Sequence, residues 1–190
     1  MKLSGSYQIK LEKQKVWEAL NNPEILKEAI PGCEEFIRKS DTQFTVTAKN
    51  KIGPFNARFT GDIELKDIDA PNSYKITGSG NSPVGFANGE AAVSLEYKDN
   101  STMLTYTVEA NVGGKIAQVG SRLIDMTAKK MADIFFGKFS KLVSKEKDIK
   151  KINDEHSVEN KAPHEKKYQN KILIYSSIAI LVAIAIYLIS

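Results

Sequence analysis

Residues 54–67 read PFNARFTGDIELKD, and within them Phe55, Ala57, Phe59, Gly61, Ile63 and Leu65 alternate with Asn56, Arg58, Thr60, Asp62, Glu64 and Lys66. A period of two puts the first set on one face of a strand and the second on the other, so the stretch reads as a half-buried strand with a solvated outer face. The same alternation opens the chain, where Leu3, Gly5, Tyr7, Ile9 and Leu11 interleave with Lys2, Ser4, Ser6, Gln8 and Lys10. Further strand patterns fall at about 34–40, 43–50, 73–80, 84–97 and 102–112, separated by turn signals such as Asp41-Thr42, Gly53-Pro54, Pro71-Asn72 and Asp99-Asn100. Between the first strand and the others, residues 13–32 (KQKVWEALNNPEILKEAIPG) read as a helical segment broken near Pro23 and ended by Pro31-Gly32.

A single antiparallel sheet of this kind has one apolar face to cover, and the chain supplies one long element to cover it. Residues 115–143 form an amphipathic pattern in which Ile116, Val119, Leu123, Met126, Ile134, Phe135, Phe139 and Leu142 are expected on one side. The expected fold is therefore α+β over residues 1–144: a helix-grip arrangement, with a curved seven-stranded antiparallel sheet wrapped on a long C-terminal helix. A curved sheet that touches its helix mainly at the edges leaves an apolar cavity between them.

Composition narrows the chemistry. The chain has 190 residues, 27 Lys+Arg, 23 Asp+Glu, two His and one Cys. One domain plus a remainder is the scale such a length supports. Residues 1–144 hold 19 Lys+Arg and 17 Asp+Glu with no basic run interleaved with aromatics, so nucleic-acid binding is not expected. Both histidines, His156 and His164, lie beyond residue 144. That disfavours Ser-His-Asp and Cys-His catalysis and any histidine-based metal site in the domain. The lone Cys33 excludes an internal disulfide and CxxC zinc sites.

Residues 145–171 carry eight Lys and six acidic side chains among few aliphatic ones, a charged flexible linker whose start continues the preceding helix. Residues 172–189, ILIYSSIAILVAIAIYLI, are uncharged throughout. As a helix they would span about 27 Å, close to the thickness of a bilayer core. Lys166, Lys167 and Lys171 precede this run and only Ser190 follows, so a C-terminal transmembrane anchor is expected, with the N-terminal portion on the cytoplasmic face of the membrane. The first residues have no apolar core of a signal peptide, and none is expected.

Several short motifs recur together in one family. They are Ile30-Pro31-Gly32, Ile52-Gly53-Pro54-Phe55 leading to Phe59-Thr60-Gly61, Gly85 with Gly89, and Gly113-Gly114-Lys115-Ile116-Ala117-Gln118-Val119-Gly120-Ser121-Arg122 followed by Phe135-Phe136. In this order and spacing, residues 1–144 resemble the carbon monoxide dehydrogenase G-subunit (CoxG) family of the START-like (polyketide cyclase and lipid-transport) superfamily. The resemblance implies a non-catalytic accessory protein that recruits a cytoplasmic molybdenum hydroxylase of the carbon monoxide dehydrogenase type to the bacterial inner membrane. It also implies a lipophile-binding pocket and no cofactor of its own.

The candidate cavity lining is Phe44, Val46, Phe55, Phe59, Ile76, Phe86, Leu95, Leu123, Met126 and Phe135, with Ala57, Gly61 and Gly78 leaving volume unfilled. Methionines such as Met126 and Met131 adapt to irregular guests. Residues 81–89, NSPVGFANG, are read either as structural glycines or as a mobile lip with Phe86 as an apolar gate. Arg58, Asp62 and Glu64 take the solvent parity, Arg122 and Asp125 read as a surface pair, and Cys33 reads as a small apolar filler. No catalytic residue is singled out and no metal site is expected. The guest expected from this reading is a quinone or another isoprenoid lipid, taken from the membrane and presented to the hydroxylase. Two alternatives stay open: a pure membrane scaffold without ligand, and a START-like hydrolase or cyclase.

Overall fold

A computed structural model of the protein describes the backbone of residues 1–155 and the side chains of residues 1–144. The sheet is built from β1 (Lys2–Ile9), β2 (Cys33–Arg38), β3 (Gln43–Ile52), β4 (Phe55–Asp69), β5 (Ser73–Ser82), β6 (Gly85–Lys98) and β7 (Ser101–Gly114). All neighbouring pairs are antiparallel, in the order β1-β7-β6-β5-β4-β3-β2. Every connection after β2 is therefore a hairpin, and β1 closes the far edge against β7. Two helices, α1 (Lys13–Leu20) and α2 (Pro23–Ala29), fill the connection from β1 to β2. Their break has a local cause. Pro23 takes the first helical position, and Asn22 Oδ1 accepts from the Glu24 and Ile25 backbone N–H groups at 2.9 and 3.5 Å.

The hairpins are tight. Asp99 and Asn100 both adopt positive φ, 52° and 57°, the turn whose twist matches that of the flanking strands. At the other end of the sheet Gly53-Pro54 joins β3 to β4 and Pro83-Val84 joins β5 to β6. The strand parity of residues 54–67 holds: Phe59, Ile63 and Leu65 are buried, while Arg58 pairs with Glu34 at 2.7 Å and Asp62 accepts from Thr45 Oγ1 at 2.7 Å on the outer side.

The element over the sheet departs from the single helix expected over 115–143. Residues Lys115–Val119 form a short 3-10 helix, Gly120 breaks the path at φ 90°, and α3 runs from Ser121 to Glu155. The break resets the helical phase. The buried stripe is Ile124, Ala128, Met131, Ala132, Phe135, Phe136, Phe139 and Val143. Leu123, Ile134 and Leu142 are only half-buried, and Met126 is 62% exposed. Helix α3 continues past the expected end of the domain, at residue 144, into the charged linker sequence. The apolar run at 172–189 lies outside the described residues; among those described, no helix is long and apolar enough to cross a membrane.

One core joins these layers, from Ile9 to Val143, and takes in Trp17, Leu20, Leu26 and Ile30 of the α1–α2 segment. At its centre Phe136 stacks on Tyr7 (centroids 4.0 Å) and meets Phe135 edge-on at 5.0 Å, while Trp17 meets Tyr74 edge-on at 5.5 Å. Each fully buried aromatic ring contributes about 1.5–3 kcal/mol through apolar burial. The Asp133–Phe139 stretch of α3 is thus pinned to β1, and α3 packs on α2.

Candidate functional site

The inner face of the sheet is divided. Where β1 and β7 meet α3 at Asp133 and Phe136, and on β6 and β5 beside them, inward positions carry large side chains: Tyr7, Leu104, Leu95, Tyr106, Val93 and Tyr74. Toward the N-terminal end of α3 they become small. The register sets Gly61 beside Gly80 and Gly80 beside Ala87; in the next row Gly78 stands beside Gly89 and Gly89 beside Ala110. Six adjacent inward positions on four strands thus carry at most a methyl group, and only Gly80 and Ala87 among them are fully buried. At two of these positions the neighbouring strand itself excludes a side chain: a Cβ on Gly61 would stand 2.7 Å from Ser79 O, and one on Gly89 2.8 Å from Ala110 Cβ. Close strand approach is thus one reason the inner face here is bare, and that bare face is the candidate guest space.

The rim of this space is formed by three segments drawn together at one end of the sheet. A Cβ placed on Gly53 would stand 3.3 Å from Leu123 Cδ2 and 3.6 Å from Val119 Cγ1, so the β3–β4 turn abuts the start of α3. The Ile116 N–H donates to Val84 O at 3.1 Å, which ties the β5–β6 turn to the 3-10 helix. Phe55, Ala57, Val84, Val112, Val119 and Leu123 are half-buried around this opening.

The proposed lining separates into three groups. Phe44, Val46, Phe59, Ile76, Leu95 and Phe135 are buried together in the core cluster. Phe55 and Leu123 stand half-buried at the rim. Phe86 and Met126 do not face the space. Phe86 shares the outward parity of Asn88 and Glu90, is 41% exposed and lays its ring over Gly113, where a Cβ would lie 2.3 Å from Cζ. Met126 falls on the solvent side of α3 because it stands nine residues, two and a half turns, before Phe135 in the same helix and so on the opposite face. Of the two readings of 81–89, the structure shows the turn: Pro83-Val84 close a two-residue hairpin in which Ser82 Oγ accepts from the Val84 N–H at 3.2 Å and donates to Gly85 O at 3.1 Å.

Strand reading also missed a residue. β3 does not stop at Asn50; its inward series continues Phe44, Val46, Ala48, Asn50, Ile52. Asn50 pairs with Ala57 across β4, and its Nδ2 is buried with no hydrogen-bond partner among the described residues. The signal was the continued period of two through Lys49 and Lys51, both exposed. No inward position of β3 to β7 carries a charge, so the space is apolar. Cys33 begins β2 and donates to Glu35 O at 3.4 Å; burial is the main cause that pushes its thiol up to about 11.

Comparison with known proteins agrees with this geometry. The family model for the G subunit of carbon monoxide dehydrogenase (CoxG) matches residues 5–144. No curated protein matches significantly. A conserved protein from Geobacillus kaustophilus is 32% identical, with a TM-score of 0.73 over 76% of this chain and 96% of that one. Nearly all of that chain is matched, and among the described residues the core here runs from Ile9 to Val143. More remote structures share the fold alone: one from Thermus thermophilus (13% identity, TM-score 0.57, covering 75% of this chain and 97% of that one), and the Zhui aromatase/cyclase from a Streptomyces species (11%, 0.55, covering 76% and 93%). The helix-grip architecture, the ordered glycine motifs and the match over 5–144 together place this chain in the CoxG family, that of the carbon monoxide dehydrogenase G subunit.

Proposed function

We propose that this protein is a membrane-anchored, non-catalytic accessory protein that holds a lipophile in the concave half of its helix-grip domain and brings a molybdenum hydroxylase of the carbon monoxide dehydrogenase type to the cytoplasmic face of the inner membrane. The observation that carries the lipophile reading is the small-residue patch at Gly61, Gly78, Gly80, Ala87, Gly89 and Ala110, an uncharged inner surface facing the N-terminal half of α3. A hydroxylase of this class makes electrons in the cytosol, whereas a quinone resides in the bilayer. A tethered domain with an apolar cavity bridges the two, and tethering raises the local concentration of both partners toward the millimolar range. The uncharged run 172–189 supports the anchor, and family membership supports the hydroxylase as partner.

The outer face of α3 supports a bilayer beside the cavity mouth. Between Ser121 and Ser144 its exposed charges are Arg122, Lys129, Lys130, Lys138 and Lys141 against Asp125 and Asp133. Met126 sits among the first three at helical spacings of three and four, an apolar side chain ringed by cations. Such a surface suits anionic lipid headgroups.

The test is to purify residues 1–155 from a bacterial host, extract with organic solvent and analyse the extract by mass spectrometry. A stoichiometric quinone or isoprenoid lipid supports the carrier reading. A clean, monodisperse protein that also takes up no added quinone overturns it and leaves a scaffold. For recruitment, the full chain in isolated membranes should retain the hydroxylase, and deletion of 172–190 should release it.

A further inference from the structure

We infer that the outer face of the sheet, at the end where the Gly53-Pro54 and Pro83-Val84 turns lie, is a docking surface for an acidic patch on a protein partner, with Phe86 as its apolar anchor. This deepens the recruitment reading and rests on it, the partner being the hydroxylase. Phe86 is an aromatic side chain that the cavity does not use. It is 41% exposed, lies across Gly113, and has Asn81 beside it on β5 and Asn88 at the next outward position of β6. Thr60, Ser79 and Asn111 extend this surface across β4, β5 and β7, all exposed and none charged. The carboxylate at its margin, Asp62, already accepts from Thr45 Oγ1 at 2.7 Å. An aromatic anchor within a charge-depleted centre is the anatomy of a protein–protein contact.

Toward the turns the margin is cationic. Lys49 and Lys51 are exposed on the outward parity of β3, and Lys115 follows Gly113 by two residues. None of these three has an ion-pair partner among the described residues, whereas Arg58, directly opposite Lys49, bridges to Glu34 at 2.7 Å. Residues 47–60, 81–86 and 113–121, which form this end of β3 to β7 and the 3-10 helix, contain no Asp or Glu; the rest of residues 1–144 holds 17 Asp+Glu against 15 Lys+Arg. Glu34 and Glu35 enter only at the edge, on β2. Position selects a protein rather than the bilayer. Helix α3 covers the inner face of the sheet, so its outer side and the outer face of the sheet point in opposite directions. With the Met126 side of α3 on lipid, Phe86 is turned to the cytosol, where a soluble enzyme arrives. The chain also leaves toward residues 172–189 from the far end of the domain, since Ser121 to Val143 spans about 33 Å of helix. The surface therefore calls for carboxylates around a small apolar recess on the partner: opposite charges speed the encounter, and the ring sets its lifetime.

The test uses the full chain in vesicles of pure phosphatidylcholine and the purified molybdenum hydroxylase holoenzyme, with association and dissociation followed by biolayer interferometry. Phe86→Ala should weaken binding about ten- to thirtyfold, mainly through faster dissociation. Lys49→Glu with Lys51→Glu should slow association about tenfold at low salt and flatten its salt dependence. Lys10→Glu with Lys98→Glu, the same change of charge at the opposite end of the sheet, should leave both rates unchanged. If the hydroxylase binds and neither Phe86→Ala nor the Lys49/Lys51 pair alters its rates, this surface is wrong while recruitment stands. An equal slowing by the Lys10/Lys98 pair likewise overturns the inference, because net charge alone would then account for it. So does loss of binding to phosphatidylglycerol vesicles in the Lys49/Lys51 pair with hydroxylase binding intact, which gives the face to the bilayer. If the wild type does not hold the hydroxylase, the inference and the recruitment reading fail together. Should Phe86→Ala not fold, the lysine pair, at exposed positions, decides alone.

Discussion

The Tyr7 hydroxyl donates to Asp133 Oδ1 at 2.5 Å, a contact across 126 residues of chain that fastens α3 to the edge strand β1. The ring beneath it stacks on Phe136 and lies parallel to Tyr106 at 6.2 Å. Burial, and then the Asp133 hydrogen bond, hold the Tyr7 phenol well above its ordinary range, so it remains a donor at any physiological pH. This clasp closes one side of the grip, away from the turns at Gly53 and Val84 that meet the start of α3 and the 3-10 helix.

Removing the clasp gives the first prediction. Tyr7→Phe should keep the stacking and lose the bond, lowering stability by about 1 kcal/mol, as a single half-exposed hydrogen bond does. Asp133→Ala should cost a similar amount, and the double variant less than the two together, read from urea unfolding. Additive losses would show that the two groups do not act on each other.

Two glycines should respond with opposite signs. Gly32→Ala forces a side chain into the left-handed region and onto Lys49 O, and should cost more than about 2 kcal/mol. Gly137 lies on the exposed side of α3 with nothing within 4 Å of its Cβ direction, so Gly137→Ala should stabilise by about 0.5–1 kcal/mol. Thermal melts of both variants check the pair; destabilisation by Gly137→Ala would show an unseen neighbour on that face.

Cys33 supplies a pH prediction. Its thiol is raised from 9.0 to about 11, chiefly by burial, so the folded state favours the neutral form. At pH 8 it should carry about a hundredfold less thiolate than an unperturbed cysteine, and iodoacetamide should label it correspondingly slowly until the protein unfolds. The sign for stability follows. The contribution is intact below pH 9 and is lost as pH rises through about 11, because only the unfolded thiol ionises readily in between. Labelling as fast as free cysteine at pH 8 would contradict this.

The cationic face of α3 predicts lipid selectivity. Residues 1–155 should sediment with vesicles containing phosphatidylglycerol and not with pure phosphatidylcholine, and binding should weaken as salt rises. Arg122→Glu with Lys129→Glu should abolish it, and Met126→Asp should weaken it with the basic neighbours left in place. Equal binding to both vesicle types would remove the bilayer from this surface and turn attention to an acidic protein partner.

Much of the fold was legible because it rests on local periodicity. The alternation in 54–67, the turn at Asp99-Asn100 and the Asn22-Pro23 break each depend on neighbours in sequence, and each appears as read. The helix face was less legible. The set read over 115–143 mixes two faces: within the continuous α3, Met126 stands two and a half turns before Phe135 and so opposite it, while the break at Gly120 separates only Ile116 and Val119 from the helix. Phe86 misled for a similar reason: aromatic character suggests burial, whereas strand parity sends it outward over Gly113.

What the sequence by itself determined is the alternation that makes a one-faced sheet, the single long helix to cover it, the absence of histidine from residues 1–144 and the uncharged run at 172–189. Tertiary structure decided which small residues meet. Gly61, Gly80 and Ala87 lie far apart in the chain and become adjacent only through β-register, a property of paired strands that no single strand contains. The unpaired amide of Asn50 belongs to the same class. A hydrogen-bonding group is free or engaged only with respect to what the fold brings beside it, and here the fold brings Gly32 to its oxygen and, among the described residues, nothing to its nitrogen.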